Sequence, residues 1–98
     1  MIHTKIVEVG IDEEGRLYVI PVFAAFPYIY REAMEIGWCS EKKYLYSPKP
    51  REWSYFHWYT QIISVVKEQS HQLQVCKETT WVNIPEELKE EILRLEVV

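Results

Sequence analysis

The chain begins with alternating polar and apolar positions. Lys5-Ile6-Val7-Glu8-Val9-Gly10-Ile11 is rich in β-branched residues and sets Val7, Val9 and Ile11 on one face at period two, which predicts a strand. Asp12-Glu13-Glu14-Gly15 reads as a turn, an acidic run ending in the residue that takes positive φ most freely. Arg16 to Ile20 predicts the returning strand, with Leu17 and Val19 facing inward. Pro21 has no N–H to give a ladder, so this strand ends there or runs along an edge.

The period then changes. Pro27 suits a first helical position, Ile29, Ala33 and Ile36 recur at helical spacing, and Gly37 supplies a stop, so a short helix is expected over 27–36. Lys42-Lys43-Tyr44-Leu45-Tyr46 predicts a third strand with both tyrosines on one face, broken by Ser47-Pro48-Lys49-Pro50. The longest helix is expected from about Arg51 to Gln69. At 100° per residue it gathers Tyr55, Phe56, Tyr59, Ile62, Ile63 and Val66 on one face, flanked by Trp58 and Val65. His57, Thr60, Gln61, Ser64, Lys67 and Glu68 fall opposite, and Trp53 lands among them.

Leu73 and Val75 mark a fourth strand. Trp81 to Pro85 leads into a last helix striped by Leu88, Ile92 and Leu95, with Glu86 and Glu87 complementing the helix dipole in its first turn. The pattern predicts an α+β fold in the order β-β-α-β-α-β-α, with one layer of mainly antiparallel sheet packed against helices. Ninety-eight residues make one domain over 1–98, large enough to need no metal or disulfide staple.

Composition narrows the function. The formal charge of −4 argues against a general nucleic-acid binder, which carries a positive footprint. Two cysteines, Cys39 and Cys76, are too few for a secreted disulfide framework and read as free thiols, with a single Cys39–Cys76 bridge as the alternative. The first residues carry no export signal. The longest apolar run, Tyr18 to Phe26, contains a proline and is far short of the ~20 residues of a membrane span, so a cytoplasmic location is expected with no membrane association.

The residues of catalysis are present without their spacing. Cys39 with His57, His3 or His71 forms no recognisable nucleophile and base pattern, and no two ligand types stand at metal-binding spacing. Asp12, Glu13 and Glu14 are explained by their turn. Glu86, Glu87, Glu90 and Glu91 are explained by capping and a solvated face of the acidic last helix, which also carries Glu96. No catalytic residue, metal or cofactor is therefore predicted.

One segment departs from this. Between 42 and 58 the chain holds Lys42, Lys43, Lys49 and Arg51 against one acid, Glu52, with Tyr44, Tyr46 and Trp53 interleaved. Tyr, Trp and Arg dominate binding hot spots because they combine contact area with directed hydrogen bonds. Lys42, Lys43, Tyr44, Tyr46, Lys49, Arg51 and Trp53 are the candidate binding residues of a non-catalytic interaction module. Its partner would be a protein, or a second copy in a homodimer. Two alternatives remain: a small-ligand binder or minor enzyme with an aromatic-lined pocket between sheet and long helix, and a single-stranded nucleic-acid binder. Against all three stands the structural reading, in which the aromatics are core and the lysines guard a sheet edge.

Overall fold

A computed structural model describes residues 2–33 and 35–95; Glu96 of the acidic helix face lies outside them. Strands β1 (Ile2–Ile11) and β2 (Leu17–Pro21) form the expected antiparallel hairpin. Its turn is closed twice. The Asp12 N–H donates to the Arg16 carbonyl and the Gly15 N–H to the Asp12 carbonyl, while the Asp12 carboxylate accepts from the Glu14 and Arg16 N–H groups. Gly15 sits at φ +83°, where a Cβ would strain the backbone.

The period-two face of β1 is not continuous. Val9 pairs with Val19 and Glu8 with Ile20, but Ile6 pairs with Pro21, so Val7 is an extra residue in the ladder. Such a bulge reverses the parity of the strand. Thr4 and Ile6 are buried before it and Val9 after it, whereas Val7 is 44% exposed. The expectation that Val7 shares a face with Val9 and Ile11 is corrected accordingly. Pro21 is where β2 ends.

The expected helix over 27–36 is a single 3₁₀ turn, Ile29–Arg31, with no side-chain cap. Ten residues led by a proline and bulky Tyr28, Ile29 and Tyr30 give little return on the cost of helix nucleation. Gly37, read as a helix stop, instead begins strand β3 (Gly37–Cys39), which pairs with β4 (Tyr44–Tyr46) through a turn that holds Lys43 at φ +57°. Ile29 and Ile36 are still fully buried. The apolar spacing thus located core residues correctly while naming the wrong element.

Helix α1 (Tyr55–Lys67) starts four residues later than expected. Ser54 is its cap, accepting from the His57 N–H at 3.2 Å. Tyr59, Ile62, Val65 and Val66 are its buried residues. Strands β5 (His71–Gln74) and β6 (Thr80–Val82) both run parallel to β1, end to end along the same side: β5 beside Ile2–Lys5 and β6 beside Glu8–Gly10. The loop between them hooks back through Thr79, whose buried hydroxyl donates to the Ile6 carbonyl at 2.7 Å and accepts from the Cys76 N–H at 2.8 Å. Helix α2 (Glu86–Leu95) buries Leu88 and Ile92.

The sheet order is β3-β4-β2-β1-β5, with β6 also on β1, and it is mixed rather than purely antiparallel. One core joins Ile6, Val9, Leu17, Val19 and Leu45 of the sheet to Tyr59, Ile62, Val66, Leu88 and Ile92 of the helices. The outer face is not left polar. Gly10 pairs with Tyr18, Tyr18 with Tyr46, and Tyr46 with Gly37. Each tyrosine ring lies where the Cβ of its neighbouring glycine would stand. Tyr44 stacks on Tyr18 at 4.7 Å, and both are at least nine-tenths buried.

Candidate functional site

The segment from Ser47 to Tyr55 is clamped to the hairpin at both ends. The Ser47 N–H donates to the Leu17 carbonyl at 2.8 Å, and its hydroxyl accepts from the Leu17 N–H and donates to the Pro48 carbonyl. At the other end the Tyr55 hydroxyl donates to the Gly15 carbonyl at 2.9 Å. Pro48 and Pro50 keep the span out of the ladder and out of the helix. Arg51, Glu52 and Trp53 are therefore held outward on a short strap across the end of α1.

A groove of about 640 Å³ lies along this strap, walled by Pro48, Pro50, Trp53 and Trp58. Trp53 is 44% exposed, and its ring lies 4.8 Å from that of Trp58 at a 46° tilt. Trp58 Nε1 is buried and donates to nothing among the described residues. A buried donor without an acceptor is costly, on the order of 1–3 kcal/mol. Lys49 and Arg51 also line the groove, opposite Glu35 and Glu52, so its charges balance.

The seven sequence-predicted residues are divided by the fold. Lys49, Arg51 and Trp53 share the groove. Lys42 and Tyr44 line a second groove, on the outer face of the sheet. Tyr46 is half-buried with the Arg16 guanidinium 4.7 Å from its ring, and Lys43 is exposed in the β3–β4 turn. Trp58, Glu35 and Gln61 were not among the predicted residues. Trp58 flanked the apolar face of its helix, a usable signal, whereas Glu35 comes from a distant loop that the sequence does not place.

The second groove, about 510 Å³, is walled by Glu8, Asp12, Glu13, Glu14, Tyr18 and Tyr44 among others. The Tyr18 hydroxyl donates to Glu8 Oε2 at 2.6 Å. Burial, and then this bond to a carboxylate, push the Tyr18 phenol well above its ordinary value. Burial raises the Tyr44 phenol as well, with Lys42 pulling the other way. For Asp12, burial alone would raise the carboxyl, but the Arg16 N–H and guanidinium together with the Glu14 N–H outweigh it and hold it below its ordinary value. The Arg16 Nε–Asp12 Oδ2 distance is 2.9 Å.

Among the described residues no three His, Cys, Asp or Glu side chains are grouped to hold a metal ion. Cys39 and Cys76 are free thiols. No described helix is long and apolar enough to cross a membrane.

Comparison with known proteins places these features in a family. A family model described as Integron Cassette Protein Hfx_Cass5 matches residues 4–79. The chain belongs to the Hfx_Cass5 family. The matched span runs from Thr4 within β1 to Thr79 and contains the strap and both tryptophans of the groove, Trp53 and Trp58. One solved structure, titled as from the mobile metagenome of North West Arm Sewage Outfall, Integron Cassette Protein Hfx_Cass5, is 42% identical over 100% of this chain and 99% of its own, with a TM-score of 0.51. The α+β fold is shared. No curated protein matches the chain.

Proposed function

We propose that this Hfx_Cass5 family member is a non-catalytic interaction module whose Trp53–Trp58 groove docks an extended segment of a protein partner. The observation that carries the reading is the tryptophan pair. Trp53 is half-exposed on a braced strap, beside a Trp58 whose indole N–H lacks an acceptor. An extended peptide can lay an apolar side chain on the exposed face of Trp53 while its backbone hydrogen-bonds to the polar rim of the groove. Lys49 and Arg51, set against Glu35 and Glu52, suit a partner of mixed charge.

Two features favour this over the alternatives. Tyr59, Ile62, Val66 and Leu73 are buried between sheet and α1, where the small-ligand alternative would need an aromatic-lined pocket. The balanced charge of the groove lacks the positive track that single-stranded nucleic acid requires.

The test is site-specific photo-cross-linking in cells. A photoreactive phenylalanine analogue at position 53 should give a discrete product that disappears when Arg51→Glu is added, and the partner's segment should lose about tenfold or more in affinity for Trp53→Ala. A product whose mass is twice that of the chain would identify the partner as a second copy. The same products from a reporter at exposed Glu90 would refute the reading.

A further inference from the structure

We propose that the groove on the outer face of the sheet is a binding site for a guanidinium group. It is separate from the tryptophan groove and does not depend on what that groove binds.

Charge is the first reason. The groove brings together Glu8, Asp12, Glu13 and Glu14 against Arg16 and Lys42. Arg16 is already committed to Asp12 and Glu14, at 2.9 and 3.6 Å. Glu13 is exposed, and Glu8 is held in place by its bond from the Tyr18 hydroxyl, which uses Oε2 and leaves Oε1 to accept from a ligand.

The second reason is independent of the carboxylates. Tyr44 is only 5% exposed, its ring is enclosed by Tyr18 and Tyr46, and it forms part of the groove wall. Its hydroxyl makes no hydrogen bond among the described residues, unlike that of Tyr18 beside it. An enclosed tyrosine normally gives its hydroxyl a partner. Here the hydroxyl is left to water or a ligand, and a donor-rich cation in the groove can offer bonds to it and to Glu8, which line the same wall.

Arg16 shows what the surroundings recognise. Its guanidinium carbon is 4.7 Å from the centre of the Tyr46 ring while its Nε meets a carboxylate. Planar donors that stack on tyrosine and fork onto carboxylates are properties of guanidinium rather than of a compact ammonium.

The experiment is a titration of the labelled, full-length protein followed by amide and side-chain NMR shifts. One arm uses ethylguanidinium and the other a blocked Gly-Arg-Gly peptide, with the citrulline peptide as the uncharged control. Saturable shifts confined to Glu8, Glu13, Tyr18 and Tyr44, absent with citrulline, are expected. Tyr44→Phe should raise the dissociation constant about 3- to 10-fold without changing the thermal midpoint, since its hydroxyl supports nothing in the fold. Glu13→Gln should weaken binding without unfolding. Tighter binding of the peptide than of ethylguanidinium would identify the source as a partner's arginine, and equal binding a free guanidine. Shifts that fail to saturate by about 20 mM, that spread equally to Glu86–Glu91, or that survive Tyr44→Phe and Glu13→Gln undiminished would overturn the proposal.

Discussion

Replacing Thr79 by valine tests the account of how the two parallel strands are joined to β1. Valine matches the shape of threonine but removes the hydroxyl that donates to the Ile6 carbonyl and accepts from the Cys76 N–H. Thr79 is 6% exposed, so water cannot readily replace these bonds. Each stranded group costs about 1–3 kcal/mol, with Cys76 near the low end because its N–H is only partly buried, while the new methyl returns at most about 0.8 kcal/mol. The net loss is about 1.5–3 kcal/mol. For a domain of this size that lowers the thermal midpoint by about 6–24 °C. Urea unfolding followed by circular dichroism would measure it, with Thr79→Ser keeping both bonds and losing only the methyl. A valine variant within about 0.5 kcal/mol of the parent, or a serine variant as unstable as the valine one, would sink the reasoning.

Two further perturbations probe the hairpin and its outer face. In Gly10→Ala the new methyl falls on the Tyr18 ring, which is pinned by Glu8 and Tyr44 and cannot swing away freely. A loss of about 1–3 kcal/mol is expected in chemical denaturation, and it should largely vanish in a Tyr18→Val background; equal losses in both backgrounds would show that the ring is not the obstacle. Asp12 has a folded pKa below its ordinary 3.8, so its contribution to stability is fully present above that pH and lost as pH falls through the folded value. Asp12→Asn should therefore flatten the acid limb of a stability–pH profile, and an unchanged acid slope would contradict the ion pair's role.

The local features of this chain were legible from its residues. Alternation found the hairpin, the acidic run before Gly15 found its turn, and helical spacing found the buried faces of α1 and α2, except that Leu95 of the expected stripe is 44% exposed. Proline and the paired glutamates marked where α2 begins, because those preferences act within one turn of backbone. The site was legible in part: Trp53 stood out as a large aromatic on a polar helical face, and the structure holds it exposed on the strap.

Everything that depended on distant pairing was decided by the tertiary structure. The bulge at Val7 has no signature of its own, since β-branched residues on both sides serve either parity, and only burial against the helices selects it. Strands β3 and β6 are three residues each and exist because β4 and β1 offer them partners. Gly37 reads equally as a helix stop or a strand position, and the Tyr46 ring lying over it decides for the strand. The same cause divided the aromatic and basic segment. Period two placed Tyr44 and Tyr46 on one face, but stacking on Tyr18 turned that face into a tyrosine layer, while the strap carried Lys49, Arg51 and Trp53 toward Trp58 and Glu35. Propensity and periodicity act over a few residues, whereas a groove is made by side chains that the chain brings together from far apart.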